Sequence, residues 1–220
     1  FSLADSISMA SKGGDYGAVG AEPVTPTSKG RAYGFEVLYR DVDLFKFNII
    51  LSYTFVRSEF TNISGEYIPS AWDNRNLFNI TVGRKFKHHW EIGAKWRFAG
   101  GSPYTPYDID KSSLVAAWDA QGRGYLDYAK FNTLRLSSFN QLDIRVDKGF
   151  YFKKWSLMFY IDVQNILNFQ AELPDILINT QPDGSVKTYT DPEGNERYEL
   201  RTISNRSGTI LPSIGIMVDF

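Results

Sequence analysis

The stretch Gln141–Asn168, QLDIRVDKGFYFKKWSLMFYIDVQNILN, decides the architecture. It contains two runs of alternation with a polar break at Lys153-Lys154 between them. In the first run Leu142, Ile144, Val146, Phe150 and Phe152 share one side, and Gln141, Asp143, Arg145, Asp147 and Gly149 share the other. Lys148 is the one intruder on the apolar side. In the second run Trp155, Leu157, Phe159, Ile161 and Val163 are apolar, while Ser156, Tyr160, Asp162 and Gln164 are mostly polar. Successive side chains on a pleated backbone point to opposite faces, so period two predicts strands. Strands of soluble domains average about five or six residues, whereas a tilted strand crossing a bilayer needs roughly nine to eleven. This hairpin has the longer dimension. Its apolar face suits lipid, its polar face a wet lumen, and the rings near its ends the two interfaces.

The same pattern recurs on both sides of that hairpin. From Gly30 to Val42, Tyr33, Phe35, Val37 and Tyr39 oppose Gly34, Glu36 and Arg40. After a turn at Asp41–Leu44, Phe45, Phe47, Ile49, Leu51, Tyr53 and Phe55 oppose Lys46, Asn48, Ser52 and Thr54. Phe78, Ile80, Val82 and Phe86 precede a turn at Lys87–His89, and Trp90, Ile92, Ala94, Trp96 and Phe98 follow it. At the end of the chain Ile214, Ile216, Val218 and Phe220 alternate with Gly215, Met217 and Asp219. These runs predict an all-β chain of about seven strands.

Turn lengths add sidedness. Short turns fall at 41–44, 87–89 and 153–154, and long segments at 1–29, 57–76, 100–140 and 169–208. They alternate, so the short turns gather at one end of the sheet and the long loops at the other. That asymmetry is expected of a transmembrane antiparallel β-barrel with short periplasmic turns and long extracellular loops, residues 1–29 being one such loop.

Composition removes several function classes. The net charge of the 220 residues is −1, which leaves no electrostatic footprint for nucleic acid. No apolar run approaches the ~18 residues of a membrane-spanning helix. With no Cys there is neither a disulfide framework nor thiol chemistry, and the only histidines, His88 and His89, lie side by side in a turn without companion ligands. No nucleophile–base pair, phosphate loop or cofactor motif emerges, so neither enzymatic activity nor a cofactor is expected. Phe1-Ser2-Leu3 opens without a basic or apolar leader, which reads as a mature, trimmed or partial chain.

Two groups of side chains are candidates for function. Glu36, Arg40, Glu91, Lys95, Arg97, Asp143, Arg145, Asp147 and Asp162 fall on the polar face. They read as a solvated or cross-strand-paired lumen wall, with a substrate path or plug-docking wall as the sharper alternative. In the long loops Lys111, Trp118, Tyr125, Tyr128, Tyr189, Asp191, Glu193 and Tyr198 mix rings with charge. Such a mixture suits contact with a sugar, peptide or chelate, and equally suits packing between loops.

The block DNRNLFNITVGRKF, then WEIGAKWRFAGGSPYTPY, LDIRVDKGF, DVQNILN and a last strand ending at Phe220 resembles the C-terminal strands of a TonB-dependent outer-membrane receptor. The resemblance covers nearly the whole chain from Gly30. It implies about seven strands of a 22-stranded barrel, with the plug domain, the TonB-engaging box and the remaining strands outside this sequence. It implies residence in the outer membrane of a Gram-negative bacterium and energy-coupled import of a nutrient caught by loops and lumen. Outer-membrane lipid, the plug, TonB and a surface lipoprotein become the expected partners. Ile214, Ile216, Val218 and Phe220 resemble the signal read by the barrel-assembly machinery. A different class remains open: a small closed eight-stranded barrel with a structural or adhesive role, whose eighth strand would come from residues 1–10.

Overall fold

The computed structural model describes residues 7–14 and 23–220. Seven long strands form an antiparallel meander in chain order: β1 (Gly30–Leu44), β2 (Phe47–Thr61), β3 (Arg75–Phe86), β4 (Trp90–Ala99), β5 (Phe139–Tyr151), β6 (Ser156–Gln164) and β7 (Leu211–Asp219). A short segment, Tyr67–Pro69, adds to β2 beyond the start of β3. The fold is all-β in its main body, and the sheet is open, with β1 and β7 as its edges. Among the described residues each of the two edges has a partner on one side only. The closed eight-stranded arrangement does not form among the described residues. Of residues 1–10, Met9 and Ala10 already belong to a 3-10 turn, Met9–Gly14, while Phe1 and Leu3 lie outside the described residues.

The first hairpin corrects one expectation. β1 runs through Leu44, which pairs with Phe47, so the turn is Phe45-Lys46 rather than Asp41–Leu44. Both turn residues have positive φ, 53° and 68°, as a two-residue hairpin turn matched to strand twist demands. Phe45 is thereby removed from the strand face and stands 83% exposed. Neither residue is the Asn or Gly that usually announces this turn, and the acidic residues just before it drew the boundary too early.

Pairing fixes which side chains share a face. One hydrogen-bonding row crosses all seven strands: Asp41, Ile49, Val82, Ala94, Ile144, Val163 and Pro212. Along it and every second row runs the apolar face; Glu36, Arg40, Glu91, Lys95, Arg97, Asp143, Arg145, Asp147 and Asp162 all belong to the other rows. The row is also oblique to the strand ends. It begins three residues short of the β1–β2 turn side of β1 and finishes at the second residue of β7, at the long-loop end. A stagger of this kind is compatible with the tilted strands of a barrel wall.

Hydrophobic burial is inverted relative to a soluble domain. The large apolar side chains that are buried, Ile7, Trp118, Phe131 and Leu177, all lie outside the seven strands. On the apolar face Phe35, Val37, Tyr39, Ile161, Ile214, Ile216 and Val218 are exposed. No helix of the described residues is long and apolar enough to cross a membrane, which leaves crossing by strands untouched.

Candidate functional site

Where packed structure does form is over the long-loop end. The expected loops 100–140 and 169–208 are folded segments. After β4, Gly101 lets the chain pass against Leu136, whose carbonyl oxygen would meet an added Cβ at 1.7 Å. This close approach permits the ribbon Pro103–Tyr104 with Leu134–Arg135. Between the ribbon strands lie α1 (Ile109–Ser113), capped by the Asp108 carboxylate accepting the Lys111 N–H at 2.9 Å, and α2 (Val115–Gln121), closed by Gly122 in the left-handed region. After β6 the hairpin Ala171–Ile178 with Arg201–Ser207 rises, topped by Thr188–Thr190 with Glu196–Tyr198.

A clamp joins the two loops. The Arg197 guanidinium donates to the Asp191 carboxylate at 2.6 Å, the Ser113 hydroxyl at 2.6 Å and the Asp110 carbonyl at 2.8 Å. The Tyr198 hydroxyl donates to Asp119 at 2.9 Å, and its ring meets Trp118 edge-on at 6.4 Å. Arg197 above all, with the Asn195 amide, holds the Asp191 carboxyl far below the usual carboxylate range. The Lys111 ammonium covers the Tyr125 ring at 4.3 Å, and the Tyr125 hydroxyl donates to the Ala117 carbonyl at 3.0 Å. Of the eight loop candidates, then, Lys111, Trp118, Tyr125, Asp191 and Tyr198 are engaged in packing within and between the loops. Tyr128 stacks against Phe131 at 6.1 Å, while Tyr189 and Glu193 stand exposed.

Beside the clamp is a cavity of about 720 Å³, and none of those eight residues lines it. Its walls are Tyr104, Tyr107 and Phe131 from the first loop, and Leu173, Pro174 and Thr202 from the hairpin. The Glu172–Arg206 ion pair, at 2.6 Å, stands on its rim with Asp175 and Ser204 beside it. The Ser137 hydroxyl, and after it Arg206, lower the Glu172 carboxyl from its ordinary range.

Arg135 lines the cavity and ties it to the sheet. It donates to the carboxylate of Asp73, to the Asp73 carbonyl at 2.6 Å and to the Gly101 carbonyl at 2.9 Å. Asp73, 0% exposed, also receives the Arg57 guanidinium at 2.9 Å and the Ser58 N–H at 3.0 Å. Burial pushes its carboxyl up, but the Ser58 N–H and the guanidiniums of Arg135 and Arg57 prevail and hold it below the usual range. Arg57 further bonds Glu59 at 2.5 Å, which takes Arg31 at 2.7 Å.

No protein-family model, curated protein or solved structure matches this chain. The reading therefore rests on geometry. Among the described residues no group of three His, Asp or Glu side chains is arranged to hold a metal ion. His88 and His89 sit in the β3–β4 turn at the end opposite the cavity. The cavity offers rings, prolines and hydroxyls together with the Glu172–Arg206 pair, Asp175 and Arg135, an arrangement that binds by shape and scattered polar contacts.

On the polar face Arg145 pairs with Asp147 at 2.7 Å and stacks over Tyr160 at 4.2 Å, and Arg97 reaches Asp143 at 3.2 Å. Glu36, Arg40 and Lys95 form no ion pair among the described residues. Sequence reasoning missed the charged network at Asp73 and the cavity itself. Their members are scattered over residues 11–206 with no period, and only the adjacency of the loops assembles them.

Proposed function

We propose that this chain is the C-terminal wall of a TonB-dependent outer-membrane receptor, with its loop cap contributing to capture of a nutrient outside the cell. The observation that carries the reading is the apolar face of seven staggered strands, on which Phe35, Val37, Ile161, Ile214 and Ile216 stand exposed, set against a polar face rich in paired charge. In water that face would be an aggregation surface far beyond the few hundred Å² a monomer tolerates; in a bilayer it is the lipid contact. The face also has boundaries of the right height. On β3 it runs from Asn76 to Arg84 and on β5 from Asn140 to Lys148, the same number of residues in each. That span is about 26 Å along a strand and about 20 Å along the normal of a tilted one, close to the apolar band of outer-membrane barrels. At the upper boundary Asn76 accepts from the Tyr53 hydroxyl at 2.8 Å and Asn140 from the Trp96 indole at 2.6 Å, as interface rings do when one end is apolar and the other wet.

In this reading the edges β1 and β7 are completed by further strands of the same barrel, and the polar face meets a plug moved by TonB. The β7 residues Ile214, Ile216 and Val218 with Phe220, 96% exposed, present the motif for the barrel-assembly machinery. A surface lipoprotein could seat only on the loop cap. No chemical step is assigned to the chain.

Cysteine labelling of intact cells tests the reading, since this chain holds no Cys of its own. Pro182→Cys, exposed on the loop hairpin, should react with a membrane-impermeant maleimide above the parent background. Lys154→Cys, in the β5–β6 turn, should react only after the envelope is opened, and Phe159→Cys only with a lipid-soluble reagent. Equal labelling of Pro182→Cys and Lys154→Cys in intact cells would remove the assignment.

A further inference from the structure

The apolar face of β3 to β7 carries only two charges, Arg84 and Lys148, and both lie at the short-turn end. Their placement in rows is unambiguous. Arg84 pairs with Ile92 in a row that continues through Val146, Ile161 and Ile214; Lys148 shares its row with Phe86, Trp90, Phe159 and Ile216. A charge so placed is costly unless something of opposite sign meets it. The carboxylates at this end of these strands, Glu91, Asp147 and Asp219, belong to the opposite face.

Both cations are held by rings rather than by anions. The Arg84 guanidinium lies 4.7 Å from the Phe47 ring and 5.1 Å from that of Phe86. It has no hydrogen-bond or ion-pair acceptor among the described residues, although it offers five N–H donors. The Lys148 ammonium lies 5.1 Å from Trp90 and 5.2 Å from Phe150, and gives one hydrogen bond, to the His88 carbonyl. Its other two donors remain. Beyond them the turns add Lys46, Lys87, Lys153 and Lys154, all at the same end.

We propose that this rim binds the phosphates of anionic phospholipid headgroups in the leaflet that faces the short turns. The aromatic sandwich aims each cation along the face toward the headgroup layer, with the stem in the apolar zone. Arg84 and Lys148 are separated by one intervening strand and one row, roughly 12 Å, so each takes its own phosphate rather than sharing one. Arg84 accepts a phosphate through the fork of its guanidinium and is the more selective of the two. The inference rests on the membrane reading above and adds to it a lipid preference.

The whole protein, purified in mixed micelles containing phosphatidylglycerol and phosphatidylcholine, would be analysed for retained lipid by native mass spectrometry. The parent should retain phosphatidylglycerol over phosphatidylcholine. Arg84→Gln and Lys148→Gln should each lower that retention about five-fold, and together about 25-fold, from one surface cation's share apiece. Arg84→Lys with Lys148→Arg should keep most of it, and Lys130→Gln, in the loop cap, all of it. Parent-like retention by the double Gln variant would overturn the inference, as would displacement of the lipid by millimolar inorganic phosphate, which would mark a free-anion site. Flotation of the parent with liposomes separates the two claims: a parent that does not float defeats the membrane reading, and one that floats while the variants keep their lipid defeats only the rim.

Discussion

Leu51→Arg tests the assignment of faces most directly. Leu51 lies midway along β2 between Phe47 and Phe55, in the row Tyr39, Leu51, Ile80, Trp96 and Leu142. In the proposed membrane setting it stands about 10 Å from either boundary of a band about 20 Å high, too far for a guanidinium to reach either headgroup layer without deforming the bilayer. Arginine at the midplane of a barrel's lipid face costs about 2–4 kcal/mol, equivalent to a roughly 30- to 700-fold fall in the folded fraction. Ser52→Arg is the matched control. It is the next residue, on the polar face opposite Leu38 and Asn79, and there a guanidinium remains wet, with an expected effect within about 0.5 kcal/mol. The assay is urea titration of the whole protein folded into phosphatidylcholine vesicles, read by the shift between folded and unfolded bands in unheated gels. A midpoint for Leu51→Arg equal to that of Ser52→Arg would refute the reasoning, because parity would then have no energetic meaning.

Other expectations follow from the loop cap. Asp73→Asn leaves Arg57 and Arg135 facing a neutral amide in a buried site, so the ribbon 103–135 should loosen by about 3–5 kcal/mol, seen as faster amide exchange there, while β5 and β6 are unchanged. Because the Asp73 carboxyl is held below its ordinary value, its contribution is complete above about pH 4 and declines only as pH falls through the depressed value; ribbon exchange, corrected for intrinsic rates, should match at pH 7 and pH 5. Arg197→Ala should free the tip hairpin 188–198 from α1 and α2, raising its protease sensitivity without altering membrane insertion; unchanged cleavage would show that Trp118 and Tyr198 hold the loops by themselves. Gly215→Val should cost about 1–3 kcal/mol, because the Tyr160 ring lies over Gly215, 2.2 Å from where a Cβ would be, and is itself held by the Arg145 guanidinium 4.2 Å from its centre.

What was legible in the sequence is what period two encodes. Alternation at Leu142, Ile144 and Val146 or at Ile214, Ile216 and Val218 fixes the face of a strand because a pleat has no other choice. Lys148 looked like an intruder because period two knows nothing of depth; two rings and a turn carbonyl account for it. The turn at Phe45-Lys46 was misplaced because positive φ was adopted by residues that rarely announce it. The cap was illegible for another reason. Arg57, Asp73 and Arg135 each belong to a different segment, and their meeting depends on how the long loops fold back over the sheet. The same holds for Tyr104 and Leu173, whose cavity forms only when a ribbon after β4 faces a hairpin after β6. Ring-plus-charge composition therefore picked out loop residues that serve the clamp, and passed over the prolines and hydroxyls that line the space.

The oblique row from Asp41 to Pro212 makes the sheet a spiral staircase, each hairpin landing a little further from the level of the last. Its two banisters end on different floors. Measured from that row, a strand arriving at β1 must therefore dock nearer the long loops, and one arriving at β7 nearer the short turns. Each newcomer also has one permitted parity, since a slip of a single residue would turn its greasy side chains inward and its wet ones toward Ile214 and Ile216. Pairing at either edge is thus a matter of counting residues.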